Sequence, residues 1–406
     1  MQKEKKKKTW MKFRHRVVTA VLRPILYPIV CLRYHVRIRR FREQGNRNYL
    51  ILMNHQTPFD QFYIAGAFRG PVYYLATEDI FSLGWISKVL TWLVEPIPIK
   101  KQTTDLRAVM NCLKVAREGG TVALAPEGNR TYSGRTEYMK SSIVPMAKKM
   151  KLPIALFRIE GGYGIEPRWS DVIRRGKMQA YVSQVIEPED YLKMSDEALF
   201  DVIRTGLFVD EAKLDGEFHH KKLAEYMERA VYVCPFCGLA EFESHNDLVT
   251  CKSCGRQIRY LPTKELKGVG FDFPFPFMGH WYDYQKDFVN HLDLTQYTEK
   301  PLFRDKGKLS EVILYQRKQL LYKEVNIALY GDRVWIQAPD GTEIDMPFKD
   351  MTASAVLGRN KLNIYFGDHV YQIYGGKRFN AMKYVNFFHR YQNILKGEEN
   401  GEFLGL

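Results

Sequence analysis

A histidine and an aspartate stand five residues apart in Asn54-His55-Gln56-Thr57-Pro58-Phe59-Asp60. A neutral imidazole at His55 can take a proton from a substrate hydroxyl, while a carboxylate at Asp60 fixes its tautomer and stabilises the imidazolium formed. General-base help of this kind accelerates a reaction roughly 10²–10⁴-fold. The same residues also read as a capping box, with Thr57 as N-cap and Asp60 at the third helical position, a purely structural role. A second constellation is Cys234-Pro-Phe-Cys237-Gly238 and Cys251-Lys-Ser-Cys254-Gly255, two C-x₂-C pairs thirteen residues apart. Four thiolates at this spacing suit one tetrahedral Zn²⁺ in a closed structural site, and the glycine after each pair permits a tight turn around the metal. Redox-active pairs or disulfides are the rival chemistry. Cys31 and Cys112 have no comparable partners and read as buried or interfacial thiols.

Position depends on the surrounding elements. Tyr49–Met53 is a continuous apolar run, as a buried strand requires, and the helix expected after it runs through Phe62, Ile64, Ala65 and Phe68 with Pro58 in its first turn. Strands are also expected at 72–76, 121–125 and 153–158, alternating with helices such as Asp105–Glu118, which Gly119-Gly120 ends. That alternation indicates an α/β layer. The loop Pro126-Glu127-Gly128-Asn129-Arg130-Thr131 follows one of these strands. There Gly128 allows close backbone approach and Arg130 offers a planar fork for phosphate; the plainer reading is a strand-exit turn with a solvated arginine.

Together, Asn54-His55-x-x-x-x-Asp60 and Glu127-Gly128-Asn129-Arg130-Thr131 resemble the glycerolipid acyltransferase family that includes 1-acyl-sn-glycerol-3-phosphate acyltransferase. Val94-Glu-Pro-Ile-Pro-Ile-Lys100-Lys101 and Leu152-Pro-Ile-Ala-Leu156 agree in order, and the likeness covers about residues 45 to 210. The resemblance implies transfer of a fatty acyl group from a thioester, on coenzyme A or acyl carrier protein, to a glycerolipid hydroxyl without an acyl-enzyme. By position, His55 would be the general base and Asp60 its orienting partner. Glu127, Gly128, Arg130 and Thr131 would shape the acceptor's phosphate site, with Lys100 or Lys101 assisting. Asn129 stands where the family has Thr, and Lys100-Lys101 stand where it has Arg; a lysine meets phosphate as a point charge without bidentate geometry.

The net charge is +15, and residues 1 to 40 carry +12 of it, thirteen Lys and Arg against Glu4. A nucleic-acid binder would spread basic residues over a folded face, so nucleic acid is not expected as a partner. Within that basic segment Val17–Leu32 is apolar but contains Arg23, Pro24 and Pro28. Sixteen helical residues rise about 24 Å, short of a bilayer core of about 30 Å. The expectation is an interfacial anchor on anionic lipid, at the cytoplasmic face of a membrane, peripheral or monotopic, rather than a signal peptide. A disordered tail followed by a packed helix is the alternative. Leu83–Val94 is apolar yet too short to span, and reads as a core helix or the wall of an acyl-chain groove.

Beyond the cysteines, Phe271-Asp-Phe-Pro-Phe-Pro-Phe277 is a Pro-broken aromatic linker. Short strands are expected at Asn326–Tyr330, Arg333–Gln337, Glu343–Pro347, Leu362–Phe366 and His369–Tyr374, then an amphipathic helix Arg378–Leu395. This layout resembles the pleckstrin-homology-like fold. Phe236, Lys252, Arg256 and Arg259 would form a small basic patch on the ribbon.

The fold class expected is thus α/β: an acyltransferase-type sheet flanked by helices, followed by a zinc ribbon and a β-rich domain with one C-terminal helix. The divisions are a basic anchor at 1–42, an acyltransferase domain at 43–228, a Cys₄ ribbon at 229–262, a linker and helix at 263–305, the β domain at 306–397 and a tail at 398–406. The expected function is acyl transfer from acyl-CoA or acyl-ACP to a lysophospholipid hydroxyl, with 1-acyl-glycerol-3-phosphate as the first-choice acceptor. Another hydroxyl-bearing lipid, or a non-catalytic zinc-ribbon and lipid-binding adaptor, is the alternative.

Overall fold

A computed structural model describes residues 9–82, 84–99, 105–313, 317–399, 401 and 403; Lys100 and Lys101 lie outside the described residues. The N-terminal half is built on a sheet in the order β1-β7-β6-β2-β5-β3-β4. Its strands are β1 (Val36–Ile38), β2 (Leu50–Met53), β3 (Val72–Thr77), β4 (Ile97–Ile99), β5 (Thr121–Leu124), β6 (Ile154–Glu160) and β7 (Met178–Ile186). All neighbouring pairs are parallel except β6 with β7. The apolar run at β2 has its cause here, because both faces of the strand are covered. Leu50 and Leu52 enter one core with Val122 and Leu156, while Ile51 and Met53 enter the other with Ala123 and Phe157. Each such side chain contributes roughly 1.5–3 kcal/mol on burial.

Three adjacent parallel strands, β6, β2 and β5, send their C-terminal loops to the same edge of the sheet. That edge is where open α/β sheets hold ligands. The helix after β2, α2, runs Asp60–Ala67, so Thr57 lies outside it and Pro58 sits in a preceding turn. The expected N-cap role of Thr57 is therefore corrected. Its hydroxyl donates to the Asp60 carboxylate at 2.7 Å and accepts the Phe59 N–H at 3.2 Å. Asp60 opens the helix because its own carboxylate has been drawn back onto the loop.

The N-terminal helix α1 covers Phe13–Tyr34, 22 residues or about 33 Å. The expectation of a segment too short to cross a bilayer is thus corrected: both prolines are accommodated inside a longer helix. Its inner face buries Val30 and Tyr34, whereas Phe13, Val17, Val21, Ile25, Ile29 and Leu32 form an exposed apolar stripe. The following β1 already belongs to the main sheet. The Trp85–Val94 helix is not a core helix either. Trp85, Ile86, Val89 and Trp92 are exposed, and Arg14 of α1 stacks on Trp92 at 5.5 Å. The Leu106–Arg117 helix is capped by the Asp105 carboxylate, and it turns Leu106 outward while burying Ala108, Cys112 and Val115.

The cysteine segment forms a small hairpin, β8 (Val233–Cys234) with β9 (Gly238–Leu239). A four-stranded antiparallel sheet follows: β10 (Phe242–His245), β11 (Leu248–Cys251), β12 (Gln257–Tyr260) and β13 (Leu266–Gly268). β13 falls within the stretch read as linker; the pairing of Ile258 with Gly268 supplies what a three-residue polar strand lacks in pattern. The aromatic run 271–277 is not helical. Phe273 packs edge-on against Trp281 of the Met278–Asn290 helix at 5.1 Å.

The C-terminal sheet is antiparallel in the order β17-β16-β15-β14-β20-β19-β18. It comprises β14 (Phe303–Glu311), β15 (Gln319–Leu329), β16 (Arg333–Gln337), β17 (Glu343–Pro347), β18 (Met351–Leu357), β19 (Lys361–Phe366) and β20 (His369–Tyr374), closed by the helix Met382–Lys396. Two of these strands escape the sequence pattern. β14 buries only Phe303 and Leu309, and β18 consists mostly of small residues buried on both faces. One continuous apolar cluster joins this domain to Val249 and Ile258 of the ribbon and to Tyr163 and Trp169 of the first half. The ribbon is therefore packed between the other two parts.

Candidate active site

β2 ends at Met53, and Asn54 fixes the chain that leaves it. Its amide donates to Ile159 O and accepts Ile159 N–H, both at 2.8 Å, tying the loop to β6. Gly162 allows the next loop to close in, since a Cβ there would lie 2.6 Å from Gln56 Cβ. His55 then presents Nδ1 to Asp60 Oδ2 at 2.8 Å. The Asp60 carboxylate is fully buried and also accepts Gln56 N–H at 2.8 Å, Thr57 N–H at 3.0 Å and the Thr57 hydroxyl. Four donors converge on this one carboxylate, which accepts from all of them. His55 therefore carries its proton on Nδ1 in the neutral form and leaves Nε2 bare, an assignment that follows from the hydrogen bonds. With the imidazole about a quarter exposed, Nε2 is available to a substrate hydroxyl.

The loop after β5 packs against this dyad. Glu127 accepts His55 N–H at 2.9 Å through one oxygen and Glu137 N–H at 2.8 Å through the other. Burial pushes its carboxyl up to about 8, against the pull of those two N–H groups. Thr131 donates its N–H to His55 O at 3.2 Å, and its hydroxyl serves Glu137 and the Gly134 N–H. Glu127 and Thr131 thus shape the loop. Gly128 turns it with φ +72 and open space around its Cα. Arg130 is buried, its Nη1 has no partner among the described residues, and burial lowers its pKa to about 10, so it stays cationic.

Sequence spacing gives no hint of what surrounds Arg130. Arg168, from the loop after β6, donates to Arg130 O at 3.0 Å. The same guanidinium donates to Val356 O, near the end of β18, and to Gly358 O, in the turn between β18 and β19, both at 3.0 Å. Arg359 in that turn pairs with buried Glu166, which also accepts the Tyr34 hydroxyl at 2.6 Å. Tyr132 donates to Arg359 O at 3.0 Å. The β domain therefore holds the loop that carries Arg130. The only local signal was a charged Glu-Pro-Arg-Trp run at 166–169.

Residues 33–159 match the family model described as Acyltransferase. That segment is similar to the acyltransferase family. Its dyad and its arginine loop both lie inside the matched segment. Over 120 residues it is 21% identical to a 1-acyl-sn-glycerol-3-phosphate acyltransferase of Bacillus subtilis (strain 168), covering 30% of this chain. The chain spans 57% of that relative's length. A crystal structure of the 1-acyl-sn-glycerophosphate (LPA) acyltransferase PlsC from Thermotoga maritima is similar at 19% identity and a TM-score of 0.39, over 48% of this chain and 82% of that one. The ribbon and the β domain follow the matched acyltransferase segment.

At the ribbon, the four thiol sulfurs of Cys234, Cys237, Cys251 and Cys254 lie within 4.8 Å of one another. Sγ of Cys234 is 3.8 Å from that of Cys254, and Sγ of Cys237 is 3.6 Å from that of Cys251. A Zn–S bond of about 2.3 Å gives a tetrahedral edge of about 3.8 Å, so the sulfurs fit one ion. Gly238 and Gly255, with φ of 78 and 72, make the turns that bring each pair together. The basic patch expected here does not form. Lys252 pairs with Glu241 and Arg259 with Asp247, while Arg256 lies over the Phe236 ring.

Proposed function

We propose that the protein transfers a fatty acyl group from acyl-CoA or acyl-ACP to the free hydroxyl of a lysophospholipid, with 1-acyl-glycerol-3-phosphate as the acceptor and phosphatidic acid as product. The observation that carries this reading is a bare His55 Nε2, fixed by the 2.8 Å bond to Asp60, beside a buried arginine with an unpartnered nitrogen. His55 takes the hydroxyl proton as the oxygen attacks the thioester carbonyl. The tetrahedral intermediate collapses, the C–S bond breaks, and the leaving thiolate recovers the proton from His55. Arg130 meets the acceptor's phosphate with its planar fork.

The substrate is a membrane lipid, and the exposed stripe of α1 beside the exposed Trp85–Val94 helix supports docking on a bilayer. The Arg and Lys residues of the N-terminal segment suit an anionic surface. The four cysteines would hold a structural Zn²⁺ that keeps the ribbon folded, since a module this short lacks a core of its own.

The test is incubation of the full chain with vesicles carrying lysophosphatidic acid and either thioester donor, with product read by mass spectrometry. The wild type yields phosphatidic acid and the His55→Ala variant does not. Activity surviving in His55→Ala removes the mechanism. No product with any donor or acceptor favours the adaptor reading.

A further inference from the structure

Away from the dyad, a cleft of about 490 Å³ opens where α1 meets the end of α2. Four arginines, Arg23, Arg40, Arg42 and Arg69, surround walls made by Tyr27 and Phe41, and among the described residues no carboxylate lines it. The arrangement is built rather than incidental. Arg23 interrupts an apolar helix, yet it turns inward and donates to Gly66 O at 2.7 Å. Burial together with the nearby Arg40 and Arg69 lowers its pKa. Cations gathered without counter-charge repel one another, and an anion relieves that cost.

Placement identifies the anion. Asp60 opens α2 and Ala67 closes it, and Ala67 lines the cleft. Eight helical residues put the cleft about 12 Å along the helix from the dyad, at the opposite end of the parallel strands. Pro24 also lines the cleft, next in sequence to Ile25 of the exposed stripe. A ligand with a phosphate head in the cleft and acyl chains along Val21 and Ile25 would satisfy both surfaces.

We propose that the Arg23–Arg40–Arg42–Arg69 cleft is a second lipid site, which binds the phosphodiester headgroup of an anionic bilayer phospholipid and sets how α1 lies on the membrane. The lipid assignment rests on the membrane reading of α1 given above. Guanidinium forks suit phosphate oxygens, and the aromatic walls suit the glycerol part of the head.

The experiment titrates the full chain calorimetrically with dihexanoyl phosphatidylglycerol below its micelle concentration. This phosphodiester differs from the acceptor and product proposed for the active site. The expected result is saturable binding of one lipid per chain. Binding weakens tenfold or more in the R40Q/R69Q variant, recovers in part in R40K/R69K, and is unchanged in Arg130→Gln. Equal affinity in R40Q/R69Q overturns the proposal, as does equal affinity for dihexanoyl phosphatidylcholine. Inorganic phosphate binding as tightly as the lipid would make this a free-anion site and overturn the lipid assignment. Flotation with vesicles separates the two readings: V17D/I29D, on the exposed stripe but outside the proposed acyl path, loses flotation while keeping the soluble-lipid affinity. A wild-type chain that does not float removes the membrane reading, and the titration still decides the cleft.

Discussion

The two halves of the candidate active site are assembled by opposite means. His55 and Asp60 are five residues apart, and their loop closes on itself through bonds from Gln56 and Thr57. The arginine half depends on partners 188 and 193 residues distant, the bonds from Arg168 to Val356 and from Arg359 to Glu166. The proposed proton transfer is thus encoded locally, whereas the proposed phosphate contact depends on a domain docked from the far end of the chain.

Asp60→Asn strikes the local half and carries the largest effect. One amide cannot accept from all the donors that now converge on the carboxylate, and the imidazole loses its fixed tautomer. A fall in kcat of about 10²–10⁴ is expected with an unchanged circular-dichroism spectrum. A loss below tenfold would mean that His55 does not depend on its neighbour.

Metal removal strikes the other half. Structural zinc in small modules supplies on the order of 10 kcal/mol, and the ribbon shares its core with the β domain. Cys251→Ser, or chelation, should raise amide hydrogen exchange across 163–170 and 356–360 while 50–60 stays protected. Equal loosening of both stretches would erase the distinction between the halves.

Arg130→Lys keeps the charge and loses the fork. KM for the lysophospholipid should rise about tenfold, near 1.4 kcal/mol, with kcat less affected. Arg359→Ala acts one contact further out and should raise KM only a few-fold, about 1 kcal/mol or less, because its side chain is about a third exposed. An Arg359→Ala effect larger than that of Arg130→Lys would place the phosphate nearer the β domain.

Glu127 joins the two halves, and its pH signature is the smallest effect. Its carboxyl sits at about 8 in the fold against about 4.5 in the unfolded chain. Between those values the folded state holds the extra proton, so this group's contribution is present below the lower value and is lost as pH rises toward the upper. The stability of wild type relative to Glu127→Gln should therefore fall from pH 4.5 to 8 and level off above, as read from denaturant midpoints. A difference that stays flat over this range would show a Glu127 already ionised in the fold.

Some elements were legible because their cause is local. The apolar run at Tyr49–Met53 marks a strand covered on both faces, Asp105 caps its own helix, and glycines follow both cysteine pairs where φ is positive. Others were not, because a contact elsewhere sets them. β13 exists through β12, α2 starts at Asp60 because the carboxylate serves the loop before it, and the Trp85–Val94 helix shows its apolar side to solvent despite a core-like composition.

By itself the sequence determined the dyad, the four-thiol cluster, the alternating α/β layer and the basic apolar N-terminus. All of these follow from side-chain chemistry at short spacing or from periodicity. Only the tertiary structure decided that Arg168 ties the Arg130 loop to the β domain, that Glu166 meets Arg359, and that four arginines share one cleft. These contacts join segments separated by long stretches of chain, or depend on how a helix is rotated, and spacing within a segment carries no information about either.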